Sequence, residues 1–467
     1  MYKLTITLKQ HTPIIHFQHD QAGATLRASE VKPKLDKFII EQMGGIDKIP
    51  KEWHISDNNE ALDYKMRIVS DSVKTNIEKN HTNSPMYFGN QKGTEEKHFM
   101  KAENISITIT TFCNALKIKL KENIDAFFKL NNFGTRQNKG YGSFTMIPKE
   151  GFKIFKFENI YSLDFTLNSE YDIKILQVID YYYKRLKSGI NYSCNNGNRN
   201  NNTKSYKKSY LFKYYDEKRK AKLINYNWEK KWIKKKFWGI TDDSVENKFI
   251  RGYFGLAGNF SFKLPNNDCC AKKENSDRVS CQCKVGMEIA VKDITKKVER
   301  IKSPITFKPI VEKNENNSFL VKVYILINPM ESKEINIAKE INFTFSPKLK
   351  LITGHRERNN QFEPTNENIN FYPNLNIEEK YNSFKEFEEN NSLKTKDKPR
   401  IGQADCFKAL INNMRPNNLT LPIVYPKIED IIKKYNTEEL KNSFIPIDFR
   451  VNNIVGIVTI KQNNPPA

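Results

Sequence analysis

One segment, residues 133–144, constrains the possible folds of this sequence more than any other. It reads FGTRQNKGYGSF and brings three glycines and two cations into one loop, called here the glycine loop. Glycine tolerates positive φ angles and lets the main chain approach a ligand closely, with peptide N–H groups facing outward as anion donors. The segment therefore predicts a site for a phosphate backbone, in which Arg136 and Lys139 supply charge and the Tyr141 ring stacks on a base.

The pattern around the glycine loop predicts a ferredoxin-like domain over residues 1–150. Residues 3–9 alternate between polar and apolar side chains, which is typical of a half-buried strand. The further expected elements are a helix over 30–43 capped by Ser29, a hairpin with strands at 105–110 and 116–120, a helix over 122–130 and a strand over 143–147. We interpret residues 50–103 as a loop-rich insertion. Strand, helix, hairpin, helix and strand is the order of the ferredoxin-like fold.

The remainder of the chain predicts an insertion over residues 151–245 and a second ferredoxin-like domain over 246–467. The insertion contains a helix from about Tyr171 to Lys187 and an Asn-rich run, Asn191–Thr203, that we expect to be a flexible linker. Strand patterns recur at 284–292, 318–327 and 454–460. The expected fold class is therefore α+β, with two ferredoxin-like (RRM-like) domains that carry long insertions.

Composition favours a polyanionic partner. The 467 residues include 77 Lys and Arg against 54 Asp and Glu, a formal charge of +23, and the pI is about 9.4. Part of this excess reflects a bias towards Lys, Asn and Ile that is typical of an AT-rich genome. Residues 204–238 interleave cations with aromatic rings, which fits either an RNA-binding surface or an ordinary amphipathic helix. We find no apolar run long enough to span a membrane and no signal peptide, so we expect a cytoplasmic protein without a membrane partner.

The cysteines leave a metal site open as an alternative. The chain has seven, an odd number that makes a disulfide framework unlikely in a chain without a secretion signal. Four cysteines cluster in one segment, but their spacing departs from the usual C-x₂-C ligand pairs of zinc sites. We expect that the chain binds no cofactor and that these four cysteines are reduced thiols. A structural zinc is the alternative, held by Cys269, Cys270, Cys281 and Cys283.

With these residues in view, the glycine loop resembles the loop of a known superfamily. The pattern Gly134-x-Arg136-x-x-Lys139-Gly140-Tyr141-Gly142 is similar to the G-rich loop of the RAMP superfamily of CRISPR-associated RNA-binding proteins. It most resembles the version in the first subunit of Cmr-type (type III-B) effector complexes. The segments 23–32, 251–256 and 300–305 also resemble that subunit, although Ala257 stands where the family has proline.

The resemblance implies a non-catalytic subunit of a ribonucleoprotein filament. Such a subunit has two ferredoxin-like domains, caps one end of the filament, contacts the 3′ region of the guide CRISPR RNA and helps to capture target RNA. Its partners would be guide RNA, target RNA and other RAMP backbone subunits, with base pairing supplying the sequence choice. The expected RNA-binding residues are Arg27, Lys32, Lys34, Lys37, Gly134, Arg136, Lys139, Gly140, Tyr141, Gly142, Arg251, Arg300 and Lys302.

Two enzymatic alternatives remain at this point. His16 and His19, close to His11 and Asp20, could serve as general acid and base in a metal-independent endoribonuclease that processes CRISPR repeats, or could bind a metal. In such nucleases the glycine loop belongs near the C-terminus, whereas here a long segment follows it. A target-slicing backbone subunit would use a loop aspartate such as Asp20 or Asp36 with a divalent metal, but neither has a second carboxylate at informative spacing.

Overall fold

The computed structural model describes residues 1–15, 26–55, 61–78, 97–168, 172–195, 202–224, 259–263, 284–293, 303–327, 343–356, 362–371, 419–421, 428–435 and 454–463. The chain divides into two compact units. The first comprises Met1–Phe212, Ile305–Pro329 and Lys427–Ala467, and the second comprises Lys213–Pro304 and Met330–Pro426. Among the helices within the described ranges, none has the length and apolar character needed to cross a bilayer.

The first unit begins with a four-stranded antiparallel sheet covered by two helices. Its strands lie in the order β2-β3-β1-β4. This order, with one helix after β1 and one after β3, is the ferredoxin-like arrangement. Two short 3₁₀ turns, Ile46–Lys48 and Lys51–Trp53, follow the first helix. The elements are β1 Tyr2–Gln10, α1 Ala28–Gln42, β2 Lys65–Glu78, β3 Lys97–Thr111, α2 Asn114–Leu130 and β4 Phe144–Met146.

The core of this domain forms because one face of the sheet is apolar. Leu4, Ile6 and Leu8 of β1 are buried and pair with isoleucines of β3. Apolar side chains of α1 and α2 pack over them, in the helical spacing that produces one apolar stripe. The helix α1 begins at Ala28 with Arg27 in the N-cap position and no side-chain cap, so the expected cap by Ser29 is wrong.

The predicted hairpin at residues 105–120 is also wrong. Residues 116–120 belong to α2, where Leu116 and Leu120 are fully buried one turn apart while Ile118 is 48% exposed. The alternation of these three apolar residues fits a strand, but the two buried leucines also have the spacing of one helix face. Besides β1, the strand that pairs with β3 is β2, which lies within the segment interpreted as a loop-rich insertion.

The elements after β4 follow one another in this chain order: β5 Ile160–Leu167, α3 Asp172–Lys187, β6 Ile190–Asn195, β7 Asn202–Lys207, α4 Tyr210–Lys220, β8 Asn259–Lys263, β9 Lys284–Asp293, β10 Ile305–Lys313, β11 Phe319–Ile327, β12 Phe343–Arg356, β13 Phe362–Phe371, β14 Leu419–Leu421, α5 Ile428–Tyr435 and β15 Ile454–Asn463. The helix α3 and the strands β9, β11 and β15 confirm the elements predicted at those places. By contrast, β6 and β7 pair as an antiparallel hairpin where a flexible linker was expected.

A second four-stranded sheet completes the first unit, with the order β10-β11-β5-β15. In chain order its strands, together with α3 and α5, repeat the strand order of the first sheet. Its first strand lies at Ile160–Leu167, inside the segment expected to be an insertion, so the second sheet starts earlier in the chain than residue 246. The second unit contains a five-stranded sheet of order β13-β12-β9-β8, with β14 paired to β12. Helices and antiparallel sheets together confirm the α+β class.

Candidate nucleic-acid interface

The glycine loop joins α2 to β4 and lies along the outer edge of β10, the edge strand of the second sheet. The Phe307 N–H donates to the Asn138 carbonyl at 3.2 Å, and the Asn132 side-chain amide donates to the Phe307 carbonyl at 2.8 Å. The Ser143 hydroxyl donates to the Pro309 carbonyl at 2.6 Å. The loop therefore supplies the hydrogen bonds that a neighbouring strand would otherwise supply.

The segment around His11 continues the same line of contacts. The Val311 N–H donates to His11 Nδ1 at 3.1 Å, and Lys9 Nζ donates to the Val311 carbonyl at 2.8 Å. Since Pro309 has no N–H, the outward backbone groups of residues 307, 309 and 311 all have partners in the first domain. We call this line of contacts the seam, and it consists of Phe307, Pro309 and Val311 with Lys9, His11, Asn132, Asn138 and Ser143.

A buried lysine fixes both ends of the glycine loop to the seam. The Lys308 side chain is fully buried, and its amine donates to the carbonyls of Asn131 and Phe144 at 2.8 Å each. Burial lowers the pKa of Lys308 well below its ordinary value. Because these two carbonyls flank the loop, one amine holds its start and its end together.

Two glycines are required by the packing of the loop rather than by a ligand. Gly140 has φ = 86°, and a Cβ there would lie 2.6 Å from Ile179 Cδ1 and 3.1 Å from Pro309 Cγ. Gly142 has φ = 63°, and a Cβ there would overlap the carbonyl of Phe133. Glycine lets the loop pack this closely against its own chain and against the second sheet.

Many peptide N–H groups of the loop already have internal acceptors. The acceptors include the carbonyls of Pro13 and Ile15 and the carboxylate of Glu30 on α1. We expected these groups to face outward and bind phosphate, and for these residues that expectation is wrong. The donors are Phe133, Gly134, Thr135, Lys139, Gly140, Gly142 and Ser143.

Tyr141 is buried and makes its ring contact inside the protein. The ring is fully buried and stacks on Phe99 with 5.9 Å between centroids and 16° between planes. A ring enclosed in this way does not offer a face to a nucleobase, so the stacking role expected for Tyr141 is not compatible with its position.

The cations of the loop lie at its half-buried tip. Arg136 adopts φ = 56°, and burial lowers the pKa of its guanidinium. Lys139 Nζ lies 4.5 Å from the centroid of the Tyr183 ring. Burial, with the nearby charge of Arg136, lowers the pKa of Lys139 to about 8. Both cations are thus held against the protein surface instead of extending into solvent.

The predicted cations of α1 differ in their surroundings. Lys34 Nζ donates to Gln137 Oε1 at 2.8 Å and to Glu30 at 3.2 Å, so it holds the loop onto the helix. Lys32 pairs with Asp36 at 2.7 Å and donates to a carbonyl of the core region. Lys37 lies 3.6 Å from Glu41 in an exposed pair, and Arg27 is half-buried in the N-cap position. Only part of this set therefore faces solvent.

Comparison with protein families identifies the chain. Residues 1–190 match the Cmr1 N-terminal domain and residues 206–416 match the Cmr1 C-terminal domain. The chain belongs to the Cmr1 family. The resemblance to the first Cmr subunit is thereby confirmed, and Cmr1 family membership makes the chain an RNA-associated subunit of a multisubunit type III-B Cmr effector complex.

Solved structures and curated sequences add less than the family match. The crystal structure of Cmr1 from Pyrococcus furiosus in its apo form is similar to the chain, with a TM-score of 0.33 and 10% sequence identity. The match covers 71% of this chain and 90% of that one. No curated protein sequence matches the chain.

Several predicted residues of this Cmr1-family chain lie outside the described residues, and their roles stay predictions. They include the alternative catalytic pair and the alternative zinc ligands. In the ranges that are described, no group of three or more His, Cys, Asp or Glu residues is arranged to hold a metal ion. The residues concerned are His16, His19, Arg251, Arg300, Lys302, Cys269, Cys270, Cys281 and Cys283.

The sequence did carry one overlooked signal for the seam. Residues 305–311 read ITFKPIV, in which a lysine and a proline interrupt an otherwise strand-like run. Proline cannot donate to a strand ladder, so Pro309 indicates an edge strand. A lysine within an apolar run indicates a buried amine with specific acceptors, which is the situation of Lys308.

Proposed function

We propose that this chain is a non-catalytic RNA-binding subunit that caps the 3′ end of the guide RNA in the effector complex and helps to capture target RNA. The observation that carries this proposal is the rigid placement of Arg136 at the tip of the glycine loop. The loop is fixed by β10, by α1 and by the segment after β1. A guanidinium carried on a loop fixed in this way suits a phosphate group, because little backbone freedom is lost on binding.

Charge supports the same proposal. The net charge of the whole chain, +23, favours a polyanionic partner. Binding to a phosphate backbone releases counterions, so affinity should fall steeply as salt rises. Recognition of the backbone would leave the choice of sequence to base pairing between guide and target.

Footprinting of the guide RNA tests the capping role. We expect that adding the full chain to a complex of guide RNA and the other backbone subunits protects the 3′ nucleotides of the guide from a single-strand-specific ribonuclease. Arg136→Ala should weaken this protection about tenfold, whereas Lys153→Ala, at an exposed position after β4, should leave it unchanged. Protection at the 5′ end, or equal protection by both variants, would contradict the proposal.

Incubation of the purified chain with labelled RNA tests the absence of catalysis. We expect RNA to remain intact at low salt while it binds. Cleavage that disappears in His16→Ala or His19→Ala would overturn the non-catalytic assignment and favour the repeat-processing nuclease. Cleavage that persists in both variants and in an independent preparation would also overturn the non-catalytic assignment, with the catalytic residues elsewhere in the chain.

A further inference from the structure

The first sheet has a second face that none of the described helices covers. On β1, Leu4, Ile6 and Leu8 point into the core, while the alternate residues point to the other side and are exposed or half-buried. We call this other side the open face. It carries Lys3, Thr5 and Thr7 from β1, Ser106, Thr108 and Thr110 from β3, and Lys65, Arg67 and Val69 from β2.

Strand register arranges these side chains in rows across the sheet. One row contains Lys65, Thr110 and Lys3. The next contains Arg67, Thr108 and Thr5. Neighbouring strands lie about 5 Å apart, and alternate residues along a strand about 7 Å apart. The first row therefore offers two cations beside one hydroxyl group, and the second offers one cation beside two, at spacings that several consecutive phosphates can reach.

No acidic partner of the cations in these two rows lies among the described residues. Within the part of the chain that the structure describes, no carboxylate pairs with Lys3, Lys65 or Arg67, and all three are exposed. Carboxylates enter the sheet only beyond an irregularity in the β2–β3 pairing, where Asp71 pairs with Glu103 and Lys74 lies 2.9 Å from Glu103. The two rows are thus a surface of uncompensated positive charge with a defined boundary.

The composition of the open face fits a nucleic-acid backbone better than a protein. Protein interfaces have apolar or aromatic centres and are depleted in lysine and serine. These two rows contain only cations and hydroxyl groups, which are the side chains that contact phosphate and sugar oxygens. They also lack the aromatic rings on which RRM-type sheets stack bases.

We propose that the open face binds the phosphate–ribose backbone of single-stranded RNA without base preference. The inference rests on the proposed RNA-binding function and adds a surface that is separate from the glycine loop. Lys3, Lys65 and Arg67 contact phosphates, and the hydroxyl groups between them donate hydrogen bonds to phosphate oxygens and exchange hydrogen bonds with ribose 2′-hydroxyl groups.

Titration of RNA affinity against salt tests this proposal. The full chain and a variant with Lys3→Gln, Lys65→Gln and Arg67→Gln are compared by fluorescence anisotropy with a labelled single-stranded oligouridine. We expect the variant to bind roughly tenfold to a hundredfold more weakly at physiological salt. The slope of log K against log salt should fall by about 2, since each phosphate contact on a single strand contributes about 0.7.

A matched control removes the same charge elsewhere. Lys48→Gln, Lys51→Gln and Lys153→Gln also remove three exposed cations, and this variant should keep the wild-type slope within about 0.5. Equal losses in both variants would show that only net charge matters and would overturn the proposal. Denaturation by urea verifies that both variants are folded, because exposed substitutions change stability by less than about 0.5 kcal/mol.

The remaining outcomes separate this inference from the proposed function. If the wild-type chain does not bind the oligouridine at all, the RNA-binding function itself fails. If the wild type binds and the open-face variant binds equally well, the open face is excluded while the function stands. If that variant keeps RNA affinity but no longer assembles with the other Cmr subunits, the open face is a protein interface and the proposal is wrong.

Discussion

The glycine loop and the open face differ in where their polar groups are used. The loop has the sequence of a ligand site, yet many of its N–H groups, its tyrosine and its glycines are engaged in packing against α1, β3, β10 and the segment after β1. The open face has an ordinary strand sequence, yet its cations have no acidic partners among the described residues. A motif rich in ligand-binding residue types can thus serve mainly to join two sheets, while binding capacity lies on a neighbouring surface.

The largest effect is expected from Gly142→Ala in the loop. The added Cβ would overlap the Phe133 carbonyl at a backbone position with φ = 63°. We expect a loss of about 4 kcal/mol in the free energy of unfolding or failure to fold, measured by urea denaturation.

Gly45→Ala is the matched control for this substitution. Gly45 also has a positive φ, 116°, but a Cβ there has nothing within 4 Å. The cost should be about 1 kcal/mol from the backbone alone. Equal losses for the two glycines would show that space in the loop is not limiting and would weaken the assignment of the loop to packing.

Lys308→Met should have the next largest effect. The substitution keeps the volume of the side chain but leaves the carbonyls of Asn131 and Phe144 buried without their donor. We expect a loss of about 2 kcal/mol in urea denaturation. The salt dependence of RNA binding by the folded fraction should not change, since this amine is enclosed. A changed salt slope would mean that the seam opens when RNA binds.

The seam should also make stability depend on pH through His11. Burial is the main cause that lowers the pKa of His11 well below 6.5, and the charges of Lys308, Lys9 and Lys101 act in the same direction. Nδ1 accepts from the Val311 N–H, so the ring is neutral in the folded state. Below pH 6.5 the unfolded chain binds a proton that the folded chain does not, and stability therefore falls as pH falls.

Urea denaturation between pH 7 and pH 5 measures this dependence. We expect the wild type to lose about 2 kcal/mol more than His11→Asn over this interval, since the amide oxygen of asparagine accepts a hydrogen bond but does not titrate. Identical pH profiles would show that His11 titrates normally and that its bond to Val311 does not persist in solution.

The sequence predicts local elements of this chain better than it predicts their assembly. The strand β1 and the helix α3 were predicted because their apolar residues follow a single period over many positions. The strand predicted at 116–120 is wrong because Leu116, Ile118 and Leu120 alternate as in a strand, while the two leucines also have the spacing of one helix face. The burial of the leucines and the exposure of Ile118 distinguish the helix from the strand. Charge patterning predicted a polyanion partner, and the Cmr1 family match is consistent with this.

The seam could not be predicted from local pattern. Asn132 and Phe307 are 175 positions apart, and their hydrogen bond depends on two sheets meeting at one edge. The second sheet is itself assembled from strands at 160–167, 305–327 and 454–463, with a second unit inserted between them. The periodicity of apolar residues predicts each strand, but it does not determine which distant strands pair.

The smallest effect on stability, and the sharpest comparison with Lys308→Met, is expected from Lys65→Met on the open face. The same chemical change here removes an exposed amine that has no acidic partner among the described residues. The free energy of unfolding should stay within about 0.5 kcal/mol of the wild-type value. The salt slope of oligouridine binding should fall by about 0.7, the contribution of one phosphate. A loss of stability without a change of slope would reverse the roles of the two regions, because it would make the open face structural and leave RNA binding to the loop tip.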